Sequence, residues 1–189
     1  MRYTGVAFVV AGANFGGRSG EVERDQRFRG MALSSVAEKA MEVTVRDAKY
    51  ADLSFLVANN LAMAKEAEGI DLDPTVLELG VSAVFEDRER GTYLIAECGG
   101  EPAGSLLITK EWSDWRCAWY FWIQSVYVLP DYRKQGVFSA LFDHVMECAR
   151  KYGASAVRLY VDRGNEAAID AYVKRCMSKS HYDLYEIEV

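Results

Sequence analysis

Histidine and proline are scarce in this chain of 189 residues, at two and three respectively. His144 and His181 lie far apart, and the four cysteines, Cys98, Cys117, Cys148 and Cys176, contain no CxxC pair. That spacing argues against a zinc ribbon, a thioredoxin-like site or a dense disulfide framework, and no metal site is expected. The cysteines read as small hydrophobes. No apolar run approaches the roughly 20 residues that span a bilayer, so no membrane partner is expected. Positive charge is not in excess: 22 Lys and Arg stand against 28 Asp and Glu, a formal charge of −6. Bulk attraction to nucleic acid is thereby disfavoured. What is present is 50% hydrophobic and 26% charged, the balance of a globular domain with a real core. A reduced cytoplasm is the simplest compartment.

The chain divides near Met41. Residues 1–40 hold six of the 15 glycines and are net positive, with six basic and four acidic residues. Gly12–Gly20 reads as flexible, Glu21–Arg29 is densely charged, and neither offers a periodic apolar face. The segment is expected to be a flexible extension, or a misassigned start preceding Met31 or Met41.

From Met41 to Val189 the pattern is regular. Glu42–Arg46 alternates as a half-buried strand does. Asp47 and Asp52 offer N-caps to a helix bearing Leu53, Leu56, Val57 and Leu61, and Asp73-Pro74 opens a second helix. Thr92–Cys98 and Ala103–Thr109 form a hairpin across Gly99–Pro102. A longer apolar-aromatic strand, Cys117–Leu129, stops at Pro130-Asp131. A helix follows Gly136 and closes at Tyr152-Gly153. Ala156–Val161 reads apolar on both faces, Asn165–Arg175 is a short helix, and Tyr182–Val189 alternates as a final strand. The order predicts an α/β fold: a single mixed, mostly antiparallel sheet flanked by helices, parallel where residues 117–161 form a β-α-β unit.

The stretch Gln124–Leu141 carries the chemistry. A buried strand enters a turn containing Arg133, Lys134 and Gly136, and a helix begins there. Unpaired N–H groups at a helix start, two cations and a glycine that lets backbone approach closely make an anion site. Neither the Walker spacing nor a GxGxxG fingerprint is present. About thirty residues on, Asn165 stands at a helix start, with Ala168 and Tyr172 four apart on one face.

In this order the two constellations resemble the GCN5-related N-acetyltransferase (GNAT) superfamily. The likeness runs over about residues 42–189 and is sharpest at 124–141 and 165–177. Arg133, Gly136 and the position of Phe138 match the pattern R/Q-x-x-G-x-G/A. Asn165, Ala168 and Tyr172 match the later N-x-x-A-x-x-x-Y pattern, with Cys176-Met177 in its Gly-Phe/Met position.

The resemblance implies acetyl-CoA as cosubstrate. Its pyrophosphate would meet backbone N–H groups from Lys134 through Gln135, Gly136, Val137 and Phe138 to Ser139, with Arg133 leading the loop. The pantetheine arm would pair with the backbone of Val126, Tyr127 and Val128, Asn165 would contact that arm or orient the site, and Tyr172 would sit near the sulfur as general acid. Direct acetyl transfer to a primary amine follows, of a small molecule before a protein. A non-catalytic acyl-CoA sensor is the alternative, and a homodimer is open.

Three features depart from the family pattern. Phe138 replaces a small residue and is expected to point into the core, beside Leu141 and Phe142. Cys176 stands where glycine would end the helix. Gln124 occupies the place where some members carry a catalytic carboxylate, and an amide cannot take the proton. Glu111 and Asp114 are the nearby carboxylates. In the resembling family the region between the first two helices borders the acceptor site; here it holds Glu66, Glu68, Asp71 and Asp73, and that acidity would favour a cationic amine. The four tryptophans, all within Trp112–Trp122, read as packing with an aromatic wall as the second use.

Overall fold

The computed structural model describes residues 42–189. The expectations for residues 1–40 therefore fall outside the described residues. The elements are β1 (Val43–Asp47), α1 (Leu53–Glu68), α2 (Pro74–Glu86), β2 (Thr92–Cys98), β3 (Glu101–Ser113), β4 (Ala118–Val128), α3 (Val137–Lys151), β5 (Ala156–Leu159) and α4 (Glu166–Lys174). The strands lie side by side in chain order. The first three pairs are antiparallel and β4–β5 is parallel, as the sequence predicts.

Both faces of the sheet are covered, which is why Thr92–Cys98 reads as a nearly unbroken apolar run. On one face Leu56 and Val81, from α1 and α2, pack on Tyr93, Ile95 and Leu107. On the other, Val137, Leu141 and Val145 of α3 and Ala168 and Tyr172 of α4 pack on Leu94, Leu106, Ile123 and Val126. Leu141 is wholly buried, a contribution of about 1.5–3 kcal/mol. The β2–β3 hairpin turns at Gly99 and Gly100, whose φ angles of +63° and +91° suit a two-residue turn. Asp73 caps α2 as expected, accepting from the N–H of Thr75 and Val76. Asp52 stands at the N-cap position of α1 but makes no cap bond. Its carboxylate is claimed by Arg46 at 2.7 Å, which holds its pKa below the ordinary range.

The final strand expected over Tyr182–Val189 does not form, and among the described residues the sheet ends at β5. Alternation gives a segment the right side-chain period, but a strand also needs a neighbouring ladder for its N–H and C=O groups. Among the described residues this segment has none, and Tyr185 and Ile187 stand 90% and 85% exposed.

Helix α4 ends in a Schellman motif without the usual glycine. The Met177 N–H bonds to the Tyr172 carbonyl at 3.1 Å and the Cys176 N–H to that of Val173 at 2.9 Å. Cys176 adopts φ +62°, the left-handed region that costs a non-glycine residue about 1–2 kcal/mol. Cys176→Gly is therefore expected to stabilise the domain by about 1 kcal/mol, somewhat offset by glycine's freedom when unfolded. Thermal unfolding should show a midpoint about 2–4 °C higher. An unchanged or lower midpoint would mean that the cysteine side chain compensates for the strain.

Candidate active site

Strands β4 and β5 part company midway. They pair only from Tyr120–Ala156 to Ile123–Leu159, and beyond Ile123 β4 has no neighbour on that side among the described residues. On its other side it remains bonded to β3, with one irregularity: Ser105 faces Tyr127 while Leu107 faces Gln124. β4 thus carries one extra residue there, a bulge marked by Ser125 at φ +50°. Gly104 pairs with Val128 just beyond it; a Cβ on Gly104 would come 2.8 Å from the Tyr127 carbonyl and 3.1 Å from Val137. A glycine inside a strand is the sequence signal of such close approach.

The Leu129 N–H bonds to the Ala103 carbonyl of β3, so strand alternation turns the backbone groups of Val128 and Val126 toward the gap. Their side chains are buried in the core, and Tyr127 packs on Met63 on the opposite face. These residues can present only main chain to anything lying between the strands.

The loop after β4 leads to the start of α3. Lys134 and Gly136 both adopt positive φ, +65° and +85°. The Gln135 amide donates to the Asp131 carbonyl at 2.6 Å and closes the loop. The first helical bond belongs to the Ala140 N–H, which meets the Gly136 carbonyl at 2.9 Å. The N–H groups of Val137, Phe138 and Ser139 consequently have no acceptor within the helix. A Cβ built on Gly136 meets nothing within 4 Å, so the glycine is required by conformation and the space above it is open. Unpaired N–H groups at a helix start attract anions.

Arg133 departs from the free cation that its sequence position suggests. Its guanidinium makes a two-point pair with Glu66, at 2.7 Å for each nitrogen, and its Nε donates to the Val128 carbonyl at 3.0 Å. It also lies over the Tyr127 ring, whose hydroxyl donates to Glu66 at 3.2 Å. Arg133 holds the carboxyl of Glu66 below the ordinary range. The pair fastens the last turn of α1 to the loop and takes up the outward carbonyl of Val128. No sequence signal pairs two residues 67 positions apart.

Phe138 packs as expected, its ring 6.0 Å from that of Phe142 and edge-on to Tyr172 at 5.6 Å. Asn165 caps α4, its side-chain oxygen accepting from the Ala168 N–H at 3.0 Å. Tyr172 is 4% exposed, and burial pushes its phenol above the ordinary tyrosine range. The structure thus brings the α3 start and Tyr172 together through Phe138.

The acidic cluster Glu66–Asp73 resolves into parts. Besides Glu66, Asp71 pairs with Lys65, and Asp73 is the cap of α2. Glu68 has no such tie; its carboxyl is raised by burial and by the nearby charge of Asp162, which follows β5. Glu111 accepts from the Trp122 indole at 2.6 Å and faces Arg158 at 3.6 Å, and Asp114 holds the β3–β4 turn through the Trp115 N–H. The tryptophans divide: Trp112 packs edge-on to Trp119, while Trp122 stacks on Tyr160 at 4.5 Å, where β5 leaves β4. Gln124 donates to Thr109 at 2.6 Å. Among the described residues, no cluster of His, Cys, Asp and Glu could hold a metal, and no helix is long and apolar enough to cross a membrane.

A parted parallel pair beside a helix start sets the open backbone edge of a strand next to unpaired N–H groups. A model of the Acetyltransferase (GNAT) family matches residues 61–176, and the chain belongs to that family of acyltransferases, which use acetyl-CoA as cosubstrate. It is 29% identical over 142 residues to thialysine N-epsilon-acetyltransferase of Sus scrofa, covering 69% of this chain and 81% of the relative. It is 30% identical over 86 residues to an uncharacterized N-acetyltransferase of Methanocaldococcus jannaschii, covering 45% of this chain and only 38% of that relative's length. Among solved structures, a possible acetyltransferase from Clostridium difficile 630 shares 36% identity at a TM-score of 0.73, over 78% of this chain and 97% of that one.

Proposed function

We propose that this chain moves the acetyl group of acetyl-CoA to the primary amine of a small, cationic molecule. The observation that carries the reading is the free edge of β4 beyond Ile123, ending beside unpaired N–H groups at the α3 start and close to Tyr172. Acetyl-CoA, when bound, supplies an activated acyl group. The N–H groups of Val137, Phe138 and Ser139 would hold its diphosphate, with the Lys134 side chain as the nearby cation. Backbone groups of Val126 and the Val128 N–H would align the pantetheine arm, and a Val126 N–H would polarise the thioester oxygen. Arg133 would act on the cofactor indirectly, by fixing the loop through Glu66.

An alkyl ammonium of pKa about 10.4 must lose a proton before it attacks. Gln124 cannot accept it, and Glu111 and Asp114 are engaged in structural bonds. Glu68, whose carboxyl is raised by burial and by the nearby charge of Asp162, adds negative charge that would favour an acceptor with positive charge. The thialysine acetylated by the porcine relative is such an amine, which supports the class without naming the acceptor here.

Calorimetric titration of the full chain with acetyl-CoA, with ATP and NAD as controls, tests the cofactor. Saturable binding of acetyl-CoA alone is the expected result, followed by faster turnover of cationic than of neutral or acidic amines. Binding of ATP in preference would overturn the reading.

A further inference from the structure

Helix α1 lays one stripe of side chains across two strands. Asn59, Met63 and Glu66 follow the i, i+4, i+7 spacing of a single helix face. The Asn59 amide donates to the Ser105 hydroxyl of β3 at 2.9 Å. Met63 packs on Tyr127 of β4, and Glu66 accepts from the Tyr127 hydroxyl at 3.2 Å. Asn59 is 2% exposed and Ser105 wholly buried, on the face where Leu56, Ile95 and Leu107 pack. A buried amide needs its partner, and a hydrogen bond fixes position and direction where apolar contact fixes little of either.

The two contacts meet at the β4 bulge. Ser105 faces Tyr127 across the ladder, and the pair exchanges both backbone hydrogen bonds, two residues on from the bond between the Leu129 N–H and the Ala103 carbonyl. The next aligned pair, Leu107 and Gln124, lies two residues along β3 but three along β4. Without the extra residue, Ser105 would face Val126 and Gly104 would face Tyr127. That slip would turn Tyr127 toward α3 and Val126 toward α1. It would also relieve Ser125 of its left-handed φ of +50°. The bulged register therefore needs holding, and the α1 stripe touches both strands at that level.

We propose that Asn59 is a positioning residue for acetyl transfer: by fixing Ser105 against the helix face that holds Tyr127, it keeps the register that turns the Val126 N–H into the gap beside β4. The kinetic part of this inference rests on the acetyl-transfer reading above. Asn60 supplies an internal contrast. It is buried one residue further along α1, but its amide donates to the Leu56 carbonyl at 2.8 Å. It also bonds to the Tyr93 hydroxyl of β2, a strand that does not adjoin β4.

The test compares Asn59→Leu, Ser105→Ala, the double variant and Asn60→Leu in the full chain. Each is assayed well below its unfolding temperature, with acetyl-CoA and the cationic amine that the parent turns over fastest. A displaced oxyanion donor forfeits part of the roughly 100-fold that its removal costs, so Asn59→Leu should transfer about tenfold more slowly while acetyl-CoA binds within about threefold. Ser105→Ala should do the same, and stands in if Asn59→Leu fails to fold. The double variant replaces the bonded pair with apolar groups; it should regain the parent's unfolding temperature yet stay about tenfold slow. Asn60→Leu should lose stability and slow transfer by less than about twofold. Hydrogen exchange read by NMR without ligand should be at least about tenfold faster for the Ser105 and Tyr127 amides in the double variant than in the parent. Recovery of rate together with stability in the double variant, equal slowing by Asn60→Leu, or unchanged exchange at Ser105 and Tyr127 would each overturn the inference. A parent chain without transfer activity would instead remove the acetyl-transfer reading, and the exchange measurement would then decide the role of Asn59.

Discussion

Tyr172→Phe should lower the rate of acetyl transfer about 100-fold while acetyl-CoA binds within a factor of about three. At about 1.36 kcal/mol per tenfold, that loss is about 2.7 kcal/mol, near the upper range of one hydrogen bond to a charged group. The size follows from how Tyr172 is held. Its ring is locked between Phe138 and the core, so the shape survives loss of the hydroxyl. Burial raises its pKa, so the phenol keeps its proton over the whole range in which an amine can be assayed. A thiolate of conjugate-acid pKa about 8.5 would be stabilised mainly by the hydrogen bond that this phenol donates, since complete transfer runs further uphill than for a solvated tyrosine. Two consequences are separable. The rate should rise with pH as the amine deprotonates and should show no fall below pH about 10 from ionisation of Tyr172. Stability has the sign of a raised acid: the contribution of Tyr172 is fully present below the unfolded value of about 10 and is lost as pH climbs toward the higher folded value. A Tyr172→Phe rate within threefold of the parent would remove the hydroxyl from the chemistry and leave water as the proton source.

Most of the fold was legible because the patterns that specify it are local. The alternation of Glu42–Arg46, the Asp73-Pro74 start, the paired glycines at 99 and 100 and the stripe Val137–Leu141–Val145 each need only neighbouring residues to be read. The candidate site was legible as two loops and a helix, for the same reason. Contacts between distant positions were not. Arg133 and Lys134 look equivalent in sequence, yet Arg133 is committed to Glu66 and the Val128 carbonyl while Lys134 is exposed. The acidic run Glu66–Asp73 looked like one electrostatic feature, but Glu66, Asp71 and Asp73 serve an ion pair, a second ion pair and a helix cap, and Glu68 is raised by burial and by the charge of Asp162. Cys176 was legible as a departure from glycine; that it keeps the left-handed conformation was not. The segment Tyr182–Val189 shows the converse limit, since period-2 patterning records an aptitude for pairing and does not supply the partner.

Gly136→Val should weaken acetyl-CoA binding by more than 100-fold, and Gly153→Val provides the control. Both glycines have positive φ, +85° and +67°, and a Cβ on either meets nothing within 4 Å. Each valine therefore brings a similar conformational cost, at least the roughly 1–2 kcal/mol of a left-handed residue and more for a β-branched one. Their places differ: Gly136 is the N-cap of α3, and Gly153 follows its C-terminus. At Gly136, relief of strain moves the N–H groups of Val137, Phe138 and Ser139, and the isopropyl group enters the open space above them. Charge-assisted hydrogen bonds are worth about 1.5–3 kcal/mol each, so misplacing two of them accounts for a loss of that size. At Gly153 the same strain is released at the far end of the helix, where no anion is held. The two variants should thus unfold at similarly lowered temperatures and differ only in calorimetric titration with acetyl-CoA. Equal binding losses would assign the effect to general loosening of α3. Intact binding by a folded Gly136→Val protein would show that the diphosphate does not rest on this helix start.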